Sequence, residues 1–235
     1  MDVPDWLTPE LDALGVEVPA HAVEQVAEYL GRLEAINRRL NLTAFKEPEL
    51  LWRRLAVDSW TALPGMPDTG AVCDIGTGGG FPGVPLAAVR TDLRFVLLET
   101  TGKKARFVAE TTEALGLTNV EVVQDRAEAF GRAAGRAAFD VVVCRAVGAL
   151  RLILEYGLPL TRVGGRFLAM KGPRAEQELE EASDALALLH AGEVAVFDAY
   201  PEGSGNDLCF VSVLKDRSTP ARYPREVGLP KREPL

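Results

Sequence analysis

The segment CDIGTGGGFPGVPLA, residues 73–87, decides the fold because it places a glycine-rich loop directly after an apolar run. Glycine is the costliest residue to order, so a chain rarely concentrates it unless something approaches the backbone closely. The preceding run, Ala71–Ile75, is typical of a buried strand, and the following residues are typical of a helix. Open α/β sheets bind nucleotide-like ligands at such junctions. We therefore expect Gly76, Gly78 and Gly80 to lie under such a ligand, with their N–H groups facing it.

Strand and helix patterns alternate after this segment. Strand candidates are Ala71–Ile75, Arg94–Leu98, Val120–Gln124, Asp140–Cys144 and Arg166–Met170. Helical patterns lie between them or follow them, notably at Lys103–Leu115 and Ala175–His190, which predicts right-handed βαβ units and a mostly parallel sheet. Two late strands, Val194–Tyr200 and Leu208–Lys215, are separated only by a loop. They must pair antiparallel or lie apart, because parallel neighbours need a long crossover.

The N-terminal part of the sequence is predicted to be helical. Apolar residues between His21 and Leu40 recur at three- and four-residue steps, which indicates an amphipathic helix. A second helix is predicted from Pro48 towards Leu63, and the segment PGMPDTG, residues 64–70, breaks the chain after it. We expect an N-terminal helical region over residues 1–66, a main domain over residues 67–216, and a basic tail over residues 217–235 packed on or beside that domain.

The composition is typical of a globular protein, since 47% of the 235 residues are hydrophobic and 26% are charged. No apolar run approaches the roughly 20 residues that a membrane span needs, and the acidic N-terminus is unlike a signal peptide. The three cysteines, Cys73, Cys144 and Cys209, lie far apart in apolar runs, which predicts reduced core thiols without a metal site. We expect a cytoplasmic monomer with no membrane and no obligate protein partner.

The net charge of −8 argues against a nucleic-acid partner, because phosphate binding usually needs a basic face. The charge is uneven, however, since residues 215–235 carry six basic and three acidic side chains. The distribution of charge therefore matters more than its total.

The identity of the ligand is narrowed by acidic residues at the strand ends. Asp74 lies beside the glycine loop, where a carboxylate can hold a charged or hydroxyl-bearing ligand. Glu99 ends the second strand and is placed to accept hydrogen bonds from ribose hydroxyls, which suits NAD and S-adenosylmethionine alike. No Gly-Lys-Ser/Thr follows the loop, which excludes a P-loop. An NAD-dependent oxidoreductase stays open, although no tyrosine is followed four positions later by the lysine that such enzymes often use.

Six segments occur in an order that carries a family resemblance: DIGTGGGFPGVPLA, LLETTGKKARF, QDRAEAF, VVVCRAVGAL, LAMKG and YPREVGLPKREPL. From about Asn41 to Leu235 the chain resembles the bacterial small-subunit ribosomal RNA guanine-N7 methyltransferases, the glucose-inhibited-division B family. The resemblance implies a class I methyltransferase fold, Rossmann-like with a mostly parallel seven-stranded sheet. It also implies S-adenosylmethionine as the methyl donor and S-adenosylhomocysteine as the product. The implied substrate is one guanine in the decoding-region loop of 16S rRNA, as RNA or in a small-subunit particle.

The resemblance also implies which residues contact the cofactor. By position these are Gly76, Phe81, Glu99, Thr100, Thr101, Ala127, Glu128 and Arg145. Asp74, Gly78 and Gly80 are further cofactor-binding candidates, because they lie at the end of the first strand and in the glycine loop. The sequence departs from the family at Leu55, where members often have histidine, and at Cys144, where many have serine. A cofactor-binding ribosome-assembly factor without turnover remains an alternative.

The chemistry of guanine N7 agrees with the residues available. N7 carries an in-plane lone pair and no proton, so its methylation needs no general base, and His21 and His190 lie in helical stretches far from every strand end. Arg145 and Lys171 follow the fourth and fifth strands. We expect Arg145 to orient cofactor and guanine and Lys171 to contact RNA. Catalysis would then rest on in-line geometry and desolvation.

Further RNA contacts are predicted at basic and aromatic residues. The basic candidates open the helix after the second strand or lie in the tail: Lys103, Lys104, Arg222, Arg225, Lys231 and Arg232. If several of these basic residues surround the mouth of one binding site and contact RNA phosphates, the affinity for RNA should fall as the salt concentration rises. Phe45 and Phe81 are candidates for stacking on a base, with core packing as the alternative for Phe81.

Overall fold

The computed structural model describes residues 1–235, which form one seven-stranded sheet with helices on both faces. The strands are β1 (Ala71–Ile75), β2 (Arg94–Leu98), β3 (Val120–Val123), β4 (Phe139–Arg145), β5 (Thr161–Lys171), β6 (Val194–Asp198) and β7 (Cys209–Leu214). Their order in the sheet is β3-β2-β1-β4-β5-β7-β6. Strands β1 to β5 are parallel, and β7 is antiparallel to both β5 and β6. The order reverses between β1 and β4, so a switch point lies at their carboxyl ends.

The helices mostly follow the predicted pattern. They are α1 (Leu7–Leu14), α2 (Ala20–Leu40), α3 (Pro48–Leu51), α4 (Asp58–Trp60), α5 (Gly83–Val89), α6 (Gly102–Ala114), α7 (Ala127–Arg132), α8 (Leu150–Gly157), α9 (Ala175–Glu181), α10 (Ser183–Leu188) and α11 (Leu229–Arg232). A π-helical turn, Trp52–Val57, joins α3 to α4. The single helix predicted at Ala175–His190 is wrong, because the chain breaks at the fully buried Ala182 and both parts pack against α8.

The strand predictions are confirmed to within two residues at each end, except for the start of β5. That strand begins at Thr161, five residues before the predicted start at Arg166, and Thr161 pairs with Phe139 across a register shift. Glycines at 164 and 165 hide this extension in the sequence, because glycine is uncommon in strands. The antiparallel alternative for the two late strands is confirmed.

Each face of the sheet buries its own hydrophobic cluster. Successive residues of β1 point to opposite faces, so Val72 belongs to one cluster and Cys73 to the other. The first cluster includes α2, the π-helical turn, α5 and the fully buried Trp52 and Trp60. The N-terminal helices therefore cover the same face as α5, which brings their residues to the edge of the sheet. The three cysteines are buried and free, as predicted.

The segment after β7 packs along the opposite face. The Arg136 guanidinium donates to the carbonyl oxygens of Thr219, at 2.9 Å, and Tyr223, at 2.7 Å. The Gly228 N–H then donates to Glu128 Oε1 at 2.9 Å, which places the start of α11 beside the start of α7. None of the helices combines the length and the apolar character that crossing a membrane requires.

Candidate active site

The glycine loop after β1 is held by hydrogen bonds within the protein. The N–H groups of Gly76, Gly78 and Gly80 donate to Leu98 O, Glu99 Oε2 and Thr77 O at 2.8, 2.9 and 2.8 Å. The prediction that these groups face a ligand is therefore wrong. Buried backbone donors need partners, and here the neighbouring strand end and the loop itself supply them.

Gly80 shows why this loop excludes side chains. Its φ is +98°, and a Cβ there would lie 2.4 Å from the Tyr29 hydroxyl oxygen and 2.8 Å from a Val84 methyl group. Gly78 differs, since a Cβ there would meet no atom closer than 3.8 Å. The protein itself therefore crowds Gly80, whereas the backbone at Gly78 borders open space.

Glu99 joins the glycine loop to the corner after β2. Its Oε2 accepts from the Gly78 N–H, and its Oε1 accepts from the Thr101 N–H at 2.7 Å and more weakly from the Thr100 hydroxyl at 3.4 Å. An ionised carboxylate has about four acceptor positions, so this buried group retains capacity for a ribose hydroxyl. The corner predicted from the resemblance, Glu99-Thr100-Thr101, thus borders Gly78.

Asp74 lies beneath the loop. Its carboxyl is fully buried, and Oδ2 accepts from the Gly83 N–H at 2.9 Å, while Oδ1 has no hydrogen-bond partner. Burial raises the pKa of Asp74 to about 7, against the opposing effect of the Gly83 N–H. The expectation of direct ligand contact is corrected: Asp74 holds the start of α5. Phe81 is likewise a core residue, packed edge-on against Tyr29 at 5.8 Å between ring centroids.

Ala127 and Glu128 open α7 at the same carboxyl edge of the sheet, after β3. Both are buried, and the Glu128 carboxylate binds the C-terminal tail through Gly228. The Glu128 carboxylate therefore has a partner within the protein, and the contact of this helix start with the cofactor stays a prediction from the resemblance.

A second group of residues surrounds a cleft of about 550 Å³ at the ends of β4 and β5. Arg145 and Lys171 both line it, as the topology predicted, together with Phe45, Arg54 and Asp58. The loop between β6 and β7 completes the cleft at residues 205–208. The cleft and the glycine loop both lie at the carboxyl ends of neighbouring strands, since β1 and β4 pair with Ile75 opposite Cys144.

Arg145 is held in this cleft by two acceptors. One terminal nitrogen, Nη2, lies 2.9 Å from Asp58 Oδ2, and Nη1 donates to Arg54 O. Its side chain is 17% exposed. Burial lowers the pKa of Arg145, but a guanidinium stays charged in proteins. A fixed, partly buried cation therefore faces the cleft.

Lys171 is less accessible than predicted. Its ammonium lies 2.6 Å from Glu178 Oε2 and donates to Gly148 O at 3.0 Å, and the side chain is only 9% exposed. Glu178 also accepts from the Leu150 N–H at 2.7 Å. The expectation that Lys171 contacts RNA is corrected, because its charge is paired with Glu178 and fixes the segment between β4 and α8.

None of the six basic RNA-binding candidates lines the cleft with Arg145. Arg225 is a correction, because it forms a bidentate ion pair with the buried Glu155, with nitrogen–oxygen distances from 2.7 to 3.1 Å. The other candidates lie elsewhere on the surface: Lys103 and Lys104 open α6, Arg222 stacks near Tyr223, and Lys231 and Arg232 end α11. These basic side chains are dispersed over the surface, because residues that are close in the sequence do not share the same ion-pair partners in the fold.

Asp58, Tyr200 and Asn206 were not predicted as site residues. In the structure Tyr200 and Asn206 both approach the Asp58 carboxylate beside Arg145. Asp58 carried a usable signal, since it is a lone carboxylate in the apolar stretch LAVDSW and a buried charge requires a partner. A second cleft, of about 680 Å³, shares Phe45 with the first and adds Arg38 and Lys46. Phe45 is half-buried between the two clefts.

Comparison with known proteins identifies the family. Residues 22–202 match the family model GidB, described as rRNA small subunit methyltransferase G. A Deinococcus radiodurans protein named ribosomal RNA small subunit methyltransferase G is 43% identical over 245 residues, covering 99% of this chain and 96% of that protein. A Sorangium cellulosum protein of the same name is 40% identical, covering 94% of this chain and 91% of that protein.

Solved structures show the fold. An O-methyltransferase from Bacillus cereus in complex with SAH matches with a TM-score of 0.60 and 19% identity, covering 89% of this chain and 98% of that chain. TYW2 of M. jannaschii in complex with AdoMet matches with a TM-score of 0.52 and 15% identity, covering 66% and 72%. The predicted class I methyltransferase fold is confirmed.

The prediction of S-adenosylmethionine as cofactor is confirmed by membership of this methyltransferase family. The NAD-dependent oxidoreductase alternative is set aside, because the family model and the relatives that match this chain are methyltransferases. The chain belongs to the GidB family, rRNA small subunit methyltransferase G, and is an S-adenosylmethionine-dependent methyltransferase of ribosomal RNA.

Proposed function

We propose that this chain methylates N7 of a single guanine in the decoding-region loop of 16S rRNA. The observation that carries the proposal is that the glycine loop and the Arg145 cleft lie at the carboxyl ends of the neighbouring strands β1 and β4. A donor held over the first region would present its methyl group to a base held in the second. Fixed geometry of this kind is the main contribution that a protein makes to such a transfer.

The cofactor fits the first region. The open backbone at Gly78 leaves room for a ligand, and Glu99 keeps acceptor positions for ribose hydroxyls. The bound cofactor supplies an electrophilic methyl group on a sulfonium. Residues Gly76, Gly78, Glu99, the two following threonines and the start of α7 would hold it.

The chemistry of the cleft favours a nitrogen that needs no deprotonation. Asp58 and Glu178, the carboxylates that contact Arg145 and Lys171, are both committed to ion pairs, and the third carboxylate that lines the cleft, Asp207, is exposed on the loop between β6 and β7. Cys144 is buried at the end of β4, and burial raises the pKa of its thiol well above the ordinary value. A thiolate attack on a pyrimidine is therefore disfavoured. Methylation of guanine N7 asks for neither a base nor a nucleophile from the protein.

Arg145 would orient the guanine through its free donors. A guanidinium has five N–H groups, and two of these donate to Asp58 and to Arg54 O, so three remain. Guanine offers O6 and N7 as acceptors on one edge. A hydrogen bond from Arg145 to O6 would leave the N7 lone pair directed at the methyl group.

Phe45 and the second cleft extend this proposal to the RNA strand. Phe45 separates the Arg145 cleft from the cleft that contains Arg38 and Lys46. An aromatic ring flanked by cations is the usual combination for single-stranded nucleic acid, since bases stack and phosphates pair. We therefore infer that the RNA crosses Phe45, with the target guanine in the Arg145 cleft.

Incubation of the purified protein with labelled S-adenosylmethionine tests the function. The substrates are unmethylated 16S rRNA and small-subunit particles, in separate arms that identify the form recognised. We expect label at one guanine and chain cleavage there after borohydride reduction and aniline treatment, which is diagnostic of N7-methylguanine. Label on a ribose, on an exocyclic amine or on a pyrimidine would contradict the proposal, and no incorporation would favour a ribosome-assembly factor without turnover.

A further inference from the structure

The Asp58 carboxylate is the common acceptor of a network beside the cleft. Its side chain is 2% exposed. Oδ2 lies 2.9 Å from Arg145 Nη2, and Oδ1 accepts from the Tyr200 hydroxyl at 2.6 Å. Asn206 Nδ2 approaches Oδ1 at 3.5 Å, and Arg54 Nη1 approaches Oδ2 at 3.9 Å. Groups from three distant parts of the sequence thus converge on one buried carboxylate.

The π-helical turn Trp52–Val57 brings a second acceptor to Arg145. It immediately precedes Asp58, and its Arg54 carbonyl oxygen accepts from Arg145 Nη1. The Arg54 side chain donates in turn to Asn206 Oδ1 at 2.9 Å. Single π-helical turns are rare in proteins, and those that do occur are often found at functional sites. Here the turn and the residue after it supply the backbone and side-chain acceptors that orient one guanidinium.

The same network docks the loop between β6 and β7. Tyr200 follows β6 and is buried, and burial together with Asp58 raises the pKa of its hydroxyl, which therefore stays a donor. Asn206 approaches both Asp58 and Arg54, and residues 205–208 of its loop line the Arg145 cleft. Loss of the Asp58 carboxylate would free the guanidinium and the loop together.

We propose that Asp58 is a positioning residue for RNA methylation, which fixes the Arg145 guanidinium and holds the β6–β7 loop as a wall of the guanine cleft. The proposal rests on the proposed function of the cleft. Preorganised donors are effective because no reorganisation of the protein is needed when the base arrives. Asp58 itself touches neither cofactor nor RNA in this scheme, since its lone pairs face Arg145, Tyr200 and Asn206.

A matched pair elsewhere separates positioning from stability. Glu155 is also a buried carboxylate, with 1% of its side chain exposed, and it binds Arg225 at 2.7 Å. Neither residue lines the cleft. Removal of one partner of a buried ion pair destabilises a protein wherever the pair lies. Asp58→Asn and Glu155→Gln therefore share a stability effect, and only the first is expected to alter catalysis.

The test compares kcat/KM for RNA, the Kd for S-adenosylmethionine and the melting temperature. For Asp58→Asn we expect kcat/KM to fall about tenfold or more while the cofactor Kd changes less than about twofold, because the charge-assisted bonds that disappear are confined to the cleft. Glu155→Gln should keep kcat/KM within about twofold at a temperature where both variants are folded. Tyr200→Phe, which keeps the carboxylate, should lower kcat/KM by an intermediate factor.

Coupling with Arg145 gives a readout that a purely structural role would not change. On the background of Arg145→Lys, Asp58→Asn should lower kcat/KM much less than it does alone, because the bidentate fork that it orients is already absent. Wild-type activity of Asp58→Asn, additive effects in the double variant, or equal loss in Glu155→Gln would overturn the proposal. Should Asp58→Asn fail to fold, wild-type activity in Tyr200→Phe would overturn it. Mapping the base that the wild type methylates tests the underlying function separately.

Discussion

The glycine loop and the Arg145 cleft lie side by side at one edge of the sheet but are built in opposite ways. The carboxylates that hold the glycine loop come from one continuous stretch, residues 74–101, where Asp74 and Glu99 accept from backbone N–H groups, and Tyr29 of α2 adds a hydrogen bond to Gly79 O. The cleft draws Phe45, Asp58 and Arg145 from three separate parts of the chain. Asp58 and Glu178 in the cleft each form an ion pair with a cationic side chain, in addition to accepting from neutral donors.

This difference sets the charge of each region. Asp74 and Glu99 accept from backbone amides instead of cations, and burial, with a smaller contribution from Glu99, raises the pKa of Asp74 to about 7. In the proposed function, the ribose hydroxyls of the cofactor would bind beside Glu99. In the cleft Asp58 and Glu178 are paired with cations, whereas Asp207 forms no ion pair, and Arg145 keeps free donors that the proposed function assigns to an RNA base. The proposed function assigns the first region to the cofactor and the second to the RNA base.

Gly80→Ala should break the glycine loop and produce the largest effect. The new Cβ would lie 2.4 Å from the Tyr29 hydroxyl at a φ of +98°. Overpacking and strain together predict a loss of about 3 kcal/mol in the free energy of unfolding, with weakened cofactor binding. The measurement is urea denaturation with cofactor titration.

Gly116→Ala is the matched control for Gly80→Ala. Gly116 has a φ of +70°, but a Cβ there meets no atom within 4 Å. Backbone strain alone predicts a loss of about 1 kcal/mol and normal cofactor binding. Equal losses in the two variants would contradict the close packing assigned to the loop.

Asp74→Asn should remove a pH dependence that the glycine loop imposes. The pKa of Asp74 is about 7 in the folded protein and 3.8 as the ordinary value. The folded state therefore binds the proton more tightly, and stability present below pH 4 is lost as the pH rises through about 7. The loss amounts to a few kcal/mol, at about 1.4 kcal/mol per pKa unit. The melting temperature of the variant should therefore rise relative to that of the wild type between about pH 4 and pH 8.

Asp140→Asn provides a control of opposite sign. Although burial opposes it, the Ala71 N–H and the Arg162 guanidinium hold the pKa of Asp140 below its usual range. Its stabilising effect is present above the ordinary pKa and is lost as the pH falls. The outcome that would contradict these assignments is Asp74→Asn following the wild type from pH 4 to pH 8, or Asp140→Asn following it below pH 4.

Phe45→Ala should sharpen the assignment of the cleft to RNA. Stacking of a base on an aromatic ring contributes about 1–3 kcal/mol, which predicts a rise in KM for RNA of about tenfold. The Kd for S-adenosylmethionine should not change, because Phe45 lies in the clefts and not at the glycine loop. Phe45→Tyr keeps an aromatic face and should restore KM; failure of tyrosine to do so would argue against stacking.

The smallest effect is expected from the exposed cations of α11. Replacing Lys231 and Arg232 by alanine should reduce the slope of log Kd for RNA against log salt by about one for each phosphate that the variant no longer neutralises. Filter binding at several salt concentrations measures the slope. Arg94→Ala is the control, since Arg94 begins β2 at the opposite edge of the sheet. Equal slopes for all variants would remove α11 from the RNA surface.

Patterns in the sequence predicted the positions of functional residues better than their contacts. Arg145 and Lys171 were expected at one edge because the carboxyl ends of parallel strands meet there, and the structure brings them to one cleft. The contact of Lys171 with Glu178 was not predicted. A strand end specifies where a side chain starts, whereas its partner depends on which helix packs above it.

Asp58 and Arg225 show the limits of such patterns most clearly. Asp58 binds Arg145 and Tyr200, which are 87 and 142 residues away in sequence. Arg225 belongs to a basic tail but is neutralised by Glu155, 70 residues before it. Neither pairing produces a periodic pattern in the sequence, because the two partners of such a contact need to be close only in space.

By itself the sequence determined the strand–glycine loop–helix unit and the alternation that makes a parallel sheet. Both follow from short-range physics: steric limits on the backbone and the two- or three-to-four-residue spacing of apolar side chains. Only the tertiary structure decided which charges are free and which are paired, and thereby distinguished the Arg145 cleft, which we propose binds RNA, from the ion pairs that hold the fold. The reason is that Coulomb energy depends on distance and burial, which the packing of remote segments sets.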